Sequence, residues 1–135
     1  MKDIPIGTTG IAEIDVTYDM TAASFDSNLP EVQATPFLIK LIETASRYAV
    51  NPYLEEGEGS VGAMVNIQHL AGSPIGFHVT AKATVTNVRG RIIDFDVEAW
   101  DDIETVGRGT HSRALINKAK HAAKLAEKKA KLENK

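Results

Sequence analysis

ATPFLIKLIETASRYAV, residues 34–50, is the stretch whose reading decides the fold. Thr35 suits the N-cap, Pro36 suits the first helical position because its missing N–H would be unpaired there anyway, and Pro52 stops the chain. The expected element is one helix. At 100° per residue, Phe37, Leu38, Leu41, Ile42, Ala45, Tyr48 and Ala49, with Ile39 and Val50, cover well over half of its circumference. That is too much apolar surface for a helix lying on a protein, so something must wrap it. Glu43 projects at the border between this arc and a narrow polar strip of Lys40, Thr44 and Arg47.

The wrapper is legible on either side. Thr9–Tyr18 alternates through Ile11, Ile14, Val16 and Tyr18 and predicts a first strand. Asp19–Pro30 is a polar connection carrying Phe25 and Leu29, placed to lie over the helix start as a lid. After the turn-rich Asn51–Gly59, four more strands are expected at Ser60–Leu70, Phe77–Val88, Ile92–Trp100 and Thr105–Ile116. Their short links (Gly72 to Gly76, Arg89-Gly90-Arg91, Asp101-Asp102) suggest an antiparallel meander. Phe77, Val79, Ala81, Ala83 and Val85 share one face of the second of these strands, and Ile93, Phe95, Val97 and Ala99 one face of the third; the opposite faces are polar. The small residues Ala81, Ala83 and Ala99 leave room for a helix to approach. The expected fold class is therefore α+β. It is a hotdog arrangement, an antiparallel sheet of about five strands wrapped around one long central helix. One domain is expected over residues 1–116, and residues 117–135 form a basic C-terminal helical tail. An open sheet edge and an incompletely covered helix end point to a homodimer.

The 135 residues are 43% hydrophobic and 24% charged, ordinary for a globular chain. Without cysteine there are no disulfides or thiolate metal sites. No apolar run is long enough to cross a membrane, and MKDIPIGTTG lacks a signal-peptide core, so a cytoplasmic location is expected. Seven lysines against two glutamates give residues 117–135 a charge of +5, which leaves −8 for residues 1–116 of a chain whose net is −3. The acidic body argues against nucleic acid, while the basic tail suits an anionic ligand.

The sequence has no G-x-S-x-G, no G-x-x-x-x-G-K-[ST] and no H-E-x-x-H, so any site is built from scattered polar groups near the helix. Thr35 reads first as a cap, yet the electropositive helix start would also let its hydroxyl hold a water or a developing oxyanion. Glu43 reads either as a solvated partner of Arg47 or Lys40, or as a base or nucleophile. His69 closes the first strand after the helix, and His111 in the last strand is its rival. His78 lies on a polar face and His121 in the tail, and spacing does not choose between His69 and His111. Arg113 reads as an edge charge or as a contact to an electronegative ligand group.

The segments PEVQATPFLIKLIETA, PYLEEGEGSVG, MVNIQHLAGSPIG and VGRGTHSRALI, in this order and spacing over about Pro30–Ile116, resemble the fluoroacetyl-coenzyme A thioesterase family of the hotdog superfamily. The resemblance implies an acyl-CoA thioesterase with catalytic Thr35, Glu43 and His69, and with Gly62 and Arg113 beside the acyl group. It favours His69 over His111. Neither cofactor nor metal is implied; coenzyme A enters as part of the substrate. Where that family's fluoroacetyl-specific enzyme has a phenylalanine gate, this chain has Leu29, so a short-chain or small acyl thioester is the expected substrate. The alternatives are a non-catalytic acyl-CoA binding or sensing module, a dehydratase on the same fold, and nucleic-acid binding through the tail.

Overall fold

The structure, a computed structural model, describes residues 1–135. Five strands and two helices follow one another as β1 (Thr9–Asp15), α1 (Thr35–Val50), β2 (Glu58–His69), β3 (His78–Arg89), β4 (Ile92–Trp100), β5 (Thr105–Asn117) and α2 (Lys118–Glu133). The strands form one sheet in the order β1-β3-β4-β5-β2, with every neighbouring pair antiparallel. This is the expected hotdog arrangement, with α1 as its filling.

Periodicity places most of the core, although Tyr48, expected in the apolar arc, is exposed. Leu38, Leu41, Ile42, Ala45, Ala49 and Val50 of α1 are buried against Val79, Ala81, Ala83 and Val85 of β3 and Ile93, Phe95, Val97 and Ala99 of β4. Alternation on the strands and the 3.6-residue period on the helix put all of these side chains into one space.

The link between β2 and β3 departs from expectation. Only β3, β4 and β5 form a meander; β2 pairs with β5 on the far side of the sheet. The intervening residues, 70–77, are a crossover rather than a hairpin. They are tied down on the way: Val32 bridges Pro74, the Gln33 N–H donates to the Ser73 carbonyl at 2.8 Å, and the Ser73 hydroxyl donates to Asp101 at 2.8 Å. The Gly and Pro residues read as a hairpin turn instead let the chain travel past the start of α1. β1 also ends earlier than its alternation implies, and Tyr18 opens a short 3-10 turn.

Helix and sheet approach each other tightly at Gly10. A Cβ built there would lie 2.0 Å from the Ala45 carbonyl oxygen and 2.6 Å from the Ala49 nitrogen. Gly10, Ala45 and Ala49 together let the α1 backbone sit directly on β1. Because both obstructing atoms are backbone, they cannot rotate away. Gly10→Ala is therefore expected to force α1 outward at a cost of about 1–3 kcal/mol, typical of overpacking, and thermal denaturation should show a Tm lower by several degrees.

Candidate active site

Thr35 is not the cap of α1. Ala34, with extended dihedrals (φ −72°, ψ 147°), is the N-cap and makes no side-chain bond, and the helix begins with Thr35 itself. The threonine hydroxyl is thereby left to another partner. It lies 2.8 Å from Nδ1 of His69, at the end of β2. Burial pushes the His69 ring below the ordinary histidine value, with the Ala71 backbone opposing, so the ring is neutral near pH 7. Its other nitrogen, Nε2, is buried without a partner. Thr35 and His69 line a cavity of about 530 Å³ together with Phe25, Val32, Gln33 and Leu70. Phe25 stacks on Phe37 with ring centroids 6.1 Å apart, so the connection before α1 does lie over the helix start. Leu29, expected as the gate, is 45% exposed and is not on this wall; Phe25 is.

Glu43 belongs to a second cluster. Its expected helical partner Arg47 donates instead to Thr44 at 3.2 Å, and the Glu43 carboxylate accepts from Nη1 of Arg113, seventy residues away, at 3.3 Å. The reading of Arg113 as an edge charge fails because β5 lies between β4 and β2, and the residue is only 3% exposed. Its guanidinium is shared out: Nε donates to the Ser60 hydroxyl at 2.9 Å, Nη2 to the Ser60 carbonyl at 3.0 Å, and Nη1 also faces Nε2 of His111 at 3.3 Å. Arg113 therefore holds Glu43 in place rather than offering a free donor. Gly62, directly opposite Arg113 in the β2–β5 register, matters by absence: a Cβ there would come within 2.9 Å of Glu43 Oε2. A bulge between Gly62 and Met64 breaks the ladder at the same point.

His111, the rival histidine, is fully buried and stacks on Phe95. Its Nδ1 lies 2.7 Å from the Met64 carbonyl, which can only accept, so Nδ1 carries the proton. Nε2 is then a lone pair, and it faces the Arg113 N–H. Burial pushes this ring, too, below the ordinary value. The sequence held a signal for this cluster, since His111 and Arg113 are two apart on a strand and must share a face. It could not show that Glu43 and Ser60 face them.

Thr35–His69 and Glu43–Arg113–His111 share no hydrogen bond. Eight residues of helix separate Thr35 from Glu43, about 12 Å along the axis and about 80° around it. Of the other histidines, His78 pairs on the surface with Asp15 at 2.8 Å and Glu13 at 3.5 Å, and His121 lies on α2. The largest cavity, about 620 Å³, is an open groove on the outer face of the sheet and holds none of these residues.

The neutral rings of fully buried His111 and half-buried His69 make stability fall on acidification, opposed in part by surface His78, whose pairing with Asp15 and Glu13 raises its pKa. The native pKa values of His111 and His69 lie below the ordinary 6.5, so at these two sites the unfolded chain binds more protons at mildly acidic pH. Stability is expected to be complete above about pH 7 and to fall as pH drops through 6.5. His111→Asn should flatten that slope in a series of melting curves. Gly62→Ala should leave the fold standing and displace the Glu43 carboxylate, seen as altered Glu43 geometry in a crystal structure.

Comparison with known proteins supplies the rest. A family model described as fluoroacetyl-CoA-specific thioesterase matches residues 16–119. The fluoroacetyl-CoA thioesterase of Streptantibioticus cattleyicolor is 42% identical over 102 residues, 76% of this chain and 73% of that one. A solved structure of a fluoroacetyl-CoA thioesterase aligns with TM-score 0.88 at 34% identity, covering 94% of this chain and 98% of its own. A Thermus thermophilus protein described as a thioesterase superfamily member aligns with TM-score 0.93 at 32% identity over 100% of both chains. The chain belongs to the fluoroacetyl-CoA-specific thioesterase family and is a thioester hydrolase.

Proposed function

We propose that this protein hydrolyses a short-chain or small acyl-CoA thioester to the free acid and coenzyme A, with Glu43, Thr35 and His69 as its catalytic residues. The observation that carries the reading is the Glu43 carboxylate. Partly open to solvent, it is held by a buried guanidinium against a glycine whose missing side chain leaves space beside it. A carboxylate fixed in this way can take the proton of an attacking water or attack the carbonyl carbon itself. In either route the C–S bond breaks, the acyl group leaves as the acid and the sulfur as the thiol. The proton that ends on sulfur comes from the consumed water and is relayed by His69, whose neutral ring takes it up before passing it on; Thr35 orients the ring, and amides at the start of α1 and at the bulge next to Gly62 stabilise the oxyanion. Support for coenzyme A comes from a relative solved with fluoroacetate and CoA, 35% identical over 87% of this chain with TM-score 0.79. Phe25 rather than Leu29 lies over the acyl group in this reading. The setting is cytoplasmic and reducing, which a chain without cysteine tolerates.

The reading requires a homodimer. β2 is an edge strand of twelve residues with Met64 and Val65 each 41% exposed, a form of edge that monomers rarely leave bare. If two copies pair their β2 edges antiparallel about Val65, His69 of the partner subunit falls opposite Val61, one residue from Gly62. The Thr35–His69 pair of one copy then meets the Glu43 cluster of the other, which joins the two groups that a single chain keeps apart.

Two measurements test this. Glu43→Gln keeps the shape but removes the charge, and kcat on a panel of acyl-CoA thioesters should fall by about 10²–10⁴-fold; equal rates would remove Glu43 from the mechanism. Met64→Lys with Val65→Lys should yield a monomer by sedimentation and abolish hydrolysis while circular dichroism shows the strands retained. A fully active monomer would overturn the shared site.

A further inference from the structure

In the whole chain three buried side-chain polar atoms lack a hydrogen-bond partner: Nε2 of His69, and both Oε1 and Nε2 of Gln33. Both residues line the cavity that holds Thr35. Gln33 is 1% exposed, and its backbone is fixed by the bond to Ser73 and by a bridge to Thr21, which holds the residue at the cavity wall. A buried primary amide that bonds to nothing is costly, and folded proteins almost always satisfy such a group. The remaining wall does not help, for Ala22, Phe25, Val32 and Ala71 offer no side-chain polar atom.

We propose that the Gln33 amide is a substrate-reading group, and that the acyl chain it reads carries a neutral hydrogen-bonding substituent, a hydroxyl being the smallest. The inference rests on the thioesterase reading and deepens it. Oε1 accepts the hydroxyl proton, or Nε2–H donates to the hydroxyl oxygen, while His69 Nε2 is left for the thioester. Charge sets the class. Gln33 borders two cavities: the one of about 490 Å³ on its other side carries Glu13, Asp19 and Lys40, whereas the one it shares with His69 is lined by no lysine, arginine, aspartate or glutamate, so in the cavity that holds His69 neither a carboxylate nor an ammonium substituent finds a counter-ion. A plain alkyl chain would leave the amide unpaired, and a site built to bond a polar group rejects the analogue that lacks it.

The test pairs substrates of equal carbon skeleton: lactoyl-CoA against propionyl-CoA, and 3-hydroxybutyryl-CoA against butyryl-CoA. Wild type should favour the hydroxylated member of at least one pair by about tenfold or more in kcat/KM. In Gln33→Leu and Gln33→Met that ratio should fall to about one, and both variants should melt at a higher temperature than wild type because an unpaired buried amide is gone. Calorimetry with the corresponding non-hydrolysable thioethers should show the same preference and the same loss. A wild-type ratio near one in both pairs, or a ratio unchanged in the variants, would overturn the proposal and leave the amide with an interior water only. If no thioester is hydrolysed the catalytic reading fails, and the thioether binding ratios still decide the role of Gln33.

Discussion

The Arg113 guanidinium is the constraint on which the site depends. Its donors run to Ser60 on β2, to Glu43 on α1 and toward His111 on its own strand, so one planar fork fixes three elements against each other. A charge this deeply placed is tolerated only because each direction in which it points offers an acceptor, and Glu43 supplies the opposite charge. Lysine, with a single ammonium, could not reproduce that fork. The tautomer of His111 follows from the same geometry: with Nδ1–H committed to Met64, Nε2 is free to face the arginine. A neutral histidine beside a buried cation is the arrangement that avoids placing two positive charges together.

Around this constraint the fold divides its labour. α1 is anchored where Gly10 meets Ala45 and Ala49, which fixes the helix along β1, and the helix carries Thr35 at one end and Glu43 two turns on. β2 runs past both, setting Gly62 beside Glu43 and His69 beside Thr35. The crossover after β2 walls the cavity at the helix start, since residues 70–72 and the segment carrying Gln33 are parts of its lining. The same edge strand that presents the site is the one left unpaired, so assembly and catalysis meet on a single element.

Much of this was legible in the sequence. The apolar arc of residues 37–50 announces a wrapped helix, and strict alternation in residues 79–85 and 93–99 names the residues that wrap it, because burial on one face of a helix or strand imposes a period on the chain itself. Thr35, Glu43 and His69 could be named only through the resemblance of four ordered segments to a known family; periodicity left each with a bland reading. For Thr35 that reading was the cap, and it fails because Ala34 takes the N-cap position and frees the hydroxyl for His69.

What the sequence by itself determined is therefore the set of elements, their buried faces and the family. The tertiary structure decided which elements are neighbours. That β2 pairs with β5 and not with β3, that Arg113 meets Glu43 across seventy residues, and that Gln33 and His69 line one cavity are all juxtapositions of distant segments. Local propensity and periodicity act over a few residues and carry no information on such contacts. These are settled only when the whole chain closes around α1 and every buried polar group must find, or lack, a partner.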